Sequence, residues 1–83
     1  MFWCYVLKSK SSGRLYIGQT NNLDDRIRRH NNNQNKATKN RGPWNLIFKR
    51  SFQTRSDAVY LEKKLKGFKN PKKVMKWIEA QNG

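Results

Sequence analysis

The sequence has little from which to build covalent or metal frameworks. It holds one cysteine, Cys4, and one histidine, His30. A single thiol excludes an intrachain disulfide. One Cys and one His exclude the tetrahedral zinc sites that draw on three or four such ligands. Nucleophilic triads need a histidine or lysine base held by an acid, and one histidine leaves little to assemble one. No P-loop and no G-x-G-x-x-G motif is present. No stretch approaches the roughly 20 apolar residues of a membrane span. The apolar N-terminal run stops at Lys8. It is too short for a signal-peptide core plus a cleavage site, and no basic segment precedes it, so the expected location is cytoplasmic. Acidic residues are scarcest of all: five Asp and Glu face nineteen Lys and Arg, for a formal charge of +14 at pH 7.

Such an excess repels itself in a compact chain and calls for a polyanionic partner. A membrane surface would want the cations gathered on one amphipathic helix. Here they are spread along the whole chain, so nucleic acid is the expected partner. The length of 83 residues suits one domain, residues 1–83, with a small core. Hydrophobic residues make up only 35%, but they include three Trp, three Tyr and four Phe. Rings that bury roughly 150–250 Å² each can hold a core of this size, and a disordered chain usually lacks them.

Residues 2–8 are apolar and rich in β-formers, which predicts a strand. The Ser/Lys/Gly cluster from Ser9 to Gly13 marks a turn, and residues 14–19 form a second strand, antiparallel to the first. Alternation puts Trp3, Tyr5 and Leu7 on one face, and Tyr16 and Gly18 on one face of the partner strand. Asn21 or Asn22 caps a helix over 23–31, with Asp24 and Asp25 in its first turn. Leu23 and Ile27 make its apolar stripe, and Arg26 and His30 sit one turn apart beside it. Residues 31–41 lack any apolar anchor and read as a mobile loop, whose Lys36, Lys39 and Arg41 can reach phosphates. A third strand over 44–52 carries Leu46, Phe48 and Phe52 on one face. Ser56 is the expected N-cap of a helix over 57–66, with Ala58, Leu61, Leu65 and Phe68 as its core stripe. Asn70-Pro71 opens the last helix, about 71–81, which packs through Val74, Trp77 and Ile78. The result is an α+β fold of order β-β-α-β-α-α: a three-stranded antiparallel sheet flanked by helices that cover one face.

Glu62 stands out among the acids. Asp24, Asp25 and Asp57 have helix-start roles and Glu79 lies near the C-terminus. Glu62 is mid-helix, flanking the buried stripe among many cations. It suits an i,i+4 pair with Lys66, and it equally suits holding one Mg²⁺ against a phosphate. Tyr5 and Tyr16 suit a cross-strand aromatic pair.

Taken together these residues resemble a known family. Trp3-Cys4-Tyr5, ten residues, then Tyr16-Ile17-Gly18 is similar to the hairpin of the GIY-YIG nuclease superfamily. The run from Tyr16 to His30 resembles its Y-I-G-x-T-x-x-L-x-x-R-x-x-x-H. Pro43-Trp44-Asn45-Leu46 and residues 58–66 resemble its single-domain branch, UPF0213-like and similar to the N-terminal domain of the excision-repair nuclease. Trp3-Cys4 stands where the family has Gly-Ile. The resemblance implies an endonuclease that hydrolyses phosphodiesters, in DNA of duplex or branched form, with Mg²⁺ or Mn²⁺. It implies that Glu62 binds the metal and that Arg26 neutralises the scissile phosphate. Tyr5 deprotonates or orients the attacking water, Tyr16 bonds near it, and His30 supports Arg26 or Tyr5. Arg26, Lys8 and the metal would favour a Tyr5 phenolate. Lys8 stands three residues after Tyr5, at the spacing of a catalytic lysine in some members, although alternation turns it away. Lys8, Lys36, Lys39, Arg41 and Lys66 are the expected backbone contacts. A nuclease this small leaves targeting to substrate shape or to a recruiting protein. The competing class is a nucleic-acid-binding module that keeps the fold and does not cut.

The spread of charge predicts binding mainly through phosphates. About six contacts give a slope of log affinity against log salt near −5 on a DNA duplex. A titration over salt with a slope near zero would contradict it.

Overall fold

The computed structural model describes residues 1–34 and 38–82. The elements follow the order β1 (Phe2–Ser9), β2 (Leu15–Thr20), α1 (Leu23–Asn31), β3 (Trp44–Phe52), α2 (Arg55–Gly67) and α3 (Pro71–Asn82). The strands lie in the order β2-β1-β3, and both pairings are antiparallel. The first strand of the chain is thus the central one.

That position explains its sequence. Four successive residues of β1, Cys4 to Leu7, have no exposed surface. Successive side chains point to opposite faces, so a strand apolar at every position must be covered on both. Cys4 and Val6 join Phe48, Leu61, Leu65, Val74 and Ile78 beneath α2 and α3. Tyr5 and Leu7 join Leu23 and Trp44 on the opposite face, with Trp3, Tyr16 and Ile27 packed around them. The expectation that helices cover one face is therefore corrected: α1 covers the second.

Local chemistry sets the element ends. Asn22 caps α1, its side chain accepting from the Asp25 N–H at 3.1 Å. The N-cap of α2 is Thr54, not Ser56. Thr54 is extended, and its hydroxyl accepts from the Asp57 N–H three residues on. Ser56 falls inside the first turn. Asn70 Oδ1 accepts from Lys72 N at 2.9 Å at the start of α3. Gly13, at φ 74°, closes the β1–β2 turn in the left-handed region that glycine enters without penalty.

Strand β3 also departs from simple alternation. Val6 pairs with Phe48 and Leu7 with Leu46, so Ile47 is an extra residue. This bulge flips the face on which the following residues lie. Leu46 therefore sits on the Leu7 side, and Phe48 and Phe52 pack against the α2 and α3 core.

The segment after α1 is better anchored than its composition suggests. Thr38 has no exposed surface, and its carbonyl accepts from Trp44 Nε1 at 3.3 Å. The Arg41 carbonyl accepts from the hydroxyls of Ser9 and Ser11. Polar anchors took the place of the apolar ones that the sequence lacks. Lys36 lies outside the described residues. Among the described residues no helix is long and apolar enough to cross a membrane.

Cys4 is fully buried, and burial, aided by the Glu62 charge, pushes its thiol up to about 12. Only the thiolate reacts readily. Native-state labelling by a thiol reagent is expected to proceed at the rate of unfolding. Labelling as fast as that of the denatured chain would show that β1 is not the central strand.

Candidate active site

The α1 face of the hairpin gathers three rings. Tyr5, on the central strand, pairs directly with Gly18 of β2. A Cβ on residue 18 would stand 2.7 Å from the Tyr5 hydroxyl and 3.1 Å from Tyr16 Cε1. Glycine is needed here so that the phenol can lie across the neighbouring backbone. The Tyr5 and Tyr16 ring centres are 6.3 Å apart, and His30 stands 5.9 Å from the first and 4.6 Å from the second. The sequence placed the two tyrosines on one face, and the structure adds His30 to the group.

The rings are joined by a buried polar chain. Tyr5 Oη lies 3.0 Å from His30 Nε2. His30 Nδ1 lies 2.8 Å from Thr38 Oγ1. Tyr5, His30 and Thr38 all have no exposed surface. An unmatched polar group at such depth costs roughly 1–3 kcal/mol, so each member fixes the next. Thr38 was not legible in advance, because its partner is eight residues back through a polar run that carries no pattern.

Burial also sets the charge states. It holds His30 at about 4, with the nearby Arg26 guanidinium adding to the depression. Tyr5 is raised well above the usual phenol value, by burial first and by the Tyr16 neighbour second; Glu62 and Cys4 also raise it, and Arg26 opposes them. Burial thus opposes the phenolate that Arg26 was expected to favour. Of the cations named for that role, Arg26 does act on Tyr5, but desolvation outweighs it. Lys8 does not reach Tyr5. It lies at the groove beside α3, with Leu15, Lys72, Lys76 and Glu79.

Arg26 is half-buried one turn before His30. Its helix neighbour Asp25 is taken by Arg28 at 2.6 Å and Arg29 at 3.0 Å. Among the described residues no carboxylate lies within 4.0 Å of Arg26, so it forms no ion pair beside the rings, although its charge still acts on Asp25. Glu62, on α2, is close enough to β1 for its charge to act on both Tyr5 and Cys4. Its side chain is 18% exposed and bonds Lys66 Nζ at 3.0 Å. The i,i+4 pair read from the sequence is therefore present. Lys39 and Arg41 are exposed on the segment that Thr38 anchors.

No group of three His, Cys, Asp or Glu gathers among the described residues. A partly exposed single carboxylate fits Mg²⁺ or Mn²⁺, hard ions that keep several waters and share one or two carboxylates with substrate phosphates.

A hairpin with a tyrosine on each strand, facing a helix that carries Arg and His one turn apart, defines a GIY-YIG catalytic domain, and the family model of that description matches residues 1–76. A UPF0213 protein of Staphylococcus saprophyticus is 38% identical over 73 residues, covering 87% of this chain and 88% of its own length. One from Clostridium perfringens is 42% identical over 59 residues, covering 70% of this chain and 62% of its own. The solution NMR structure of the UPF0213 protein from Bacillus halodurans superposes with a TM-score of 0.63 at 28% identity, covering all of this chain (100%) and 88% of that one. The chain belongs to the GIY-YIG family, in its UPF0213 branch. It is thus a nuclease-type domain, for which nucleic acid is the substrate class.

The depressed His30 value has a stability consequence. Between pH 6.5 and about 4 the unfolded chain takes up a proton at this ring and the folded chain does not. The contribution is complete above the unfolded value and is lost as pH falls to the folded one. The loss amounts to about 3 kcal/mol at most. Urea midpoints are expected to drop between about pH 7 and pH 4.5, and His30→Gln should remove most of that drop. A parent equally stable at both pH values would contradict the burial of a neutral ring.

Proposed function

We propose that the domain is a divalent-metal-dependent endonuclease that hydrolyses phosphodiester bonds in DNA, of duplex or branched form. The observation that carries the reading is the buried Tyr5–His30–Thr38 chain beside an Arg26 that has no carboxylate. A structural aromatic cluster has no use for a half-buried guanidinium that forms no ion pair. A phosphate has, because the guanidinium stays charged and can bind two oxygens at once.

In this reading Arg26 holds the scissile phosphate and offsets the charge that grows on it. Tyr16, only partly buried, donates its hydroxyl to the phosphate or the attacking water. Tyr5 takes the proton of that water as it passes its own to His30 Nε2. In the proposed tautomer Nδ1–H donates to Thr38 Oγ1 and Nε2 is the free acceptor that faces Tyr5. His30 is neutral at physiological pH, so Nε2 can accept the Tyr5 hydrogen bond, and because burial and Arg26 disfavour its charged form it holds the proton only transiently. Tyr5 has no exposed surface; catalytic hydrogen bonds often form only in the substrate complex. Glu62 would hold the metal together with phosphate oxygens, and a bound divalent ion supplies Lewis-acid polarisation and leaving-group stabilisation. Lys66, which pairs with Glu62 at 3.0 Å, can turn to a backbone phosphate. Lys8, Lys39 and Arg41, with Lys36, add backbone contacts, and a recruiting protein would supply targeting.

Three substitutions separate the roles. Glu62→Gln should abolish cleavage and leave binding equal or tighter, since a repulsive charge is gone. Arg26→Ala should abolish cleavage and weaken binding slightly. Tyr5→Phe should lose most activity with binding unchanged, and lose about 1–3 kcal/mol of stability through the orphaned His30. Each rate loss should be about 10²-fold or more, the usual scale for one group stabilising transition-state charge. The assay is metal-dependent cleavage of duplex, branched and single-stranded substrates. If Glu62→Gln cuts as fast as the parent, the metal assignment fails. If the parent cuts nothing with any divalent ion, the domain is a binding module.

A further inference from the structure

A second cation-lined hollow lies on the same sheet face, beyond the hairpin end of the site. The β1–β2 pairing ends at Lys8 and Leu15, and one further bond, Ser9 N to Arg14 O at 2.8 Å, holds Arg14 in line with the strand, while Arg14 N turns to Ser12 Oγ at 3.3 Å. Arg14 therefore follows the alternation of Tyr16 and Gly18 and belongs to their face. Two residues along a strand advance about 7 Å. Across from it, the loop that anchors His30 through Thr38 comes back to the hairpin turn. The Arg41 carbonyl accepts from Ser9 Oγ at 2.5 Å and Ser11 Oγ at 3.3 Å, and Lys10 N donates to Pro43 O at 2.9 Å. Turn and loop form one ridge, and Ser11, Ser12, Arg14, Asn40 and Arg41 line a hollow of about 310 Å³ in it.

Its electrostatics differ from those of other hollows. The groove beside α3 contains Glu79 among its lysines. The groove between α2 and α3 contains Asp57, and the one at the start of α1 is lined by Asp24 and Asp25. The hollow along β3 also has no acid and holds Lys49 and Arg50, but there Arg50 donates to Gln81 at 3.1 Å and lies over the Phe48 and Trp77 rings, and Lys49 lies over Trp3. At the hairpin ridge the lining is two guanidiniums, two hydroxyls and one amide. The ion pairs among the described residues use Asp25 and Glu62 with Arg28, Arg29 and Lys66, so neither Arg14 nor Arg41 is compensated.

Resting on the nuclease reading above, we propose that this hollow is a second phosphate subsite. It holds the strand being cut, roughly one to three nucleotides from the phosphate at Arg26, since a duplex strand rises about 3.4 Å per nucleotide. Arg14 and Arg41 clamp that phosphate, and the Ser12 hydroxyl, which accepts from Arg14 N, adds a donor. Because the same loop carries Thr38, the subsite and the buried chain share one support.

The test compares Arg14→Ala/Arg41→Ala with Lys72→Ala/Lys76→Ala, which removes equal charge from exposed positions on α3. Duplex binding is titrated over salt. Losing one phosphate contact makes the log–log slope shallower by about 1; the arginine pair should show this, with a several-fold weaker affinity, and the lysine pair should change the slope less. A neutral methylphosphonate is then placed singly at each position within three nucleotides of the cut. One position should slow the parent about tenfold and not slow the arginine variant further. Equal slopes for parent and arginine variant, or neutral positions that slow both proteins alike, would overturn the subsite. A parent that binds but does not cut removes the hydrolysis reading and leaves the slope comparison to decide the subsite.

Discussion

The hydrogen bond between Tyr5 Oη and His30 Nε2, 3.0 Å long and fully buried, is the interaction around which the rest of this domain is arranged. It ties the central strand to the helix on its second face. It obliges residue 18 to be glycine, because any Cβ there would meet the phenol at 2.7 Å. It obliges the other imidazole nitrogen to find a partner inside the protein, and the chain supplies Thr38. Anchoring Thr38 in turn brings the following residues against the hairpin turn, where the Arg41 carbonyl meets Ser9 and Ser11. Because buried polar groups must be matched, one contact propagates through β1, α1, the loop and the β1–β2 turn.

The two faces of the sheet divide the labour. The α2 and α3 face is built of aliphatic and aromatic packing around Cys4, Val6, Leu61 and Leu65. The α1 face is built around rings that carry polar atoms, with an arginine that forms no ion pair beside them. A chain this small gains most of its stability from a modest apolar core, so placing the polar chain on the opposite face lets both exist. Glu62 is the link between them: it belongs to α2 yet acts on Tyr5. In the proposed function this is what lets one carboxylate from the packing side serve chemistry on the other.

Much of this was legible in the sequence. Periodicity gave three strands and three helices in order, and alternation put Tyr5 with Leu7, and Tyr16 with Gly18. The i,i+4 spacing of Arg26 and His30, and of Glu62 and Lys66, carried over into geometry. What was not legible depends on contacts between segments. The bulge at Ile47 moved Leu46 to the other face, and a period-two pattern cannot register an inserted residue. Thr54 rather than Ser56 caps α2, and the two are equivalent in propensity until the backbone decides. A loop of Asn, Lys and Thr showed no apolar anchor, yet its threonine is among the fully buried residues. Tyr5 was expected near cations that favour its anion; how strongly burial opposes them appears only once Tyr5 is seen wholly enclosed. The helix on the second face could have been foreseen from β1 itself, whose Cys4–Leu7 run offers apolar side chains to both sides.

The central claim is that His30 is a neutral ring with its Nδ1 proton committed to Thr38 and its Nε2 open to Tyr5. Long-range ¹⁵N–¹H NMR spectra of the imidazole test it directly, since the two nitrogens of a neutral ring have well-separated shifts. The account predicts a protonated Nδ1 and an unprotonated Nε2 that persist from neutral pH down towards about 4, well below the ordinary 6.5. A ring that titrates near 6.5, or one whose proton resides on Nε2, would contradict it.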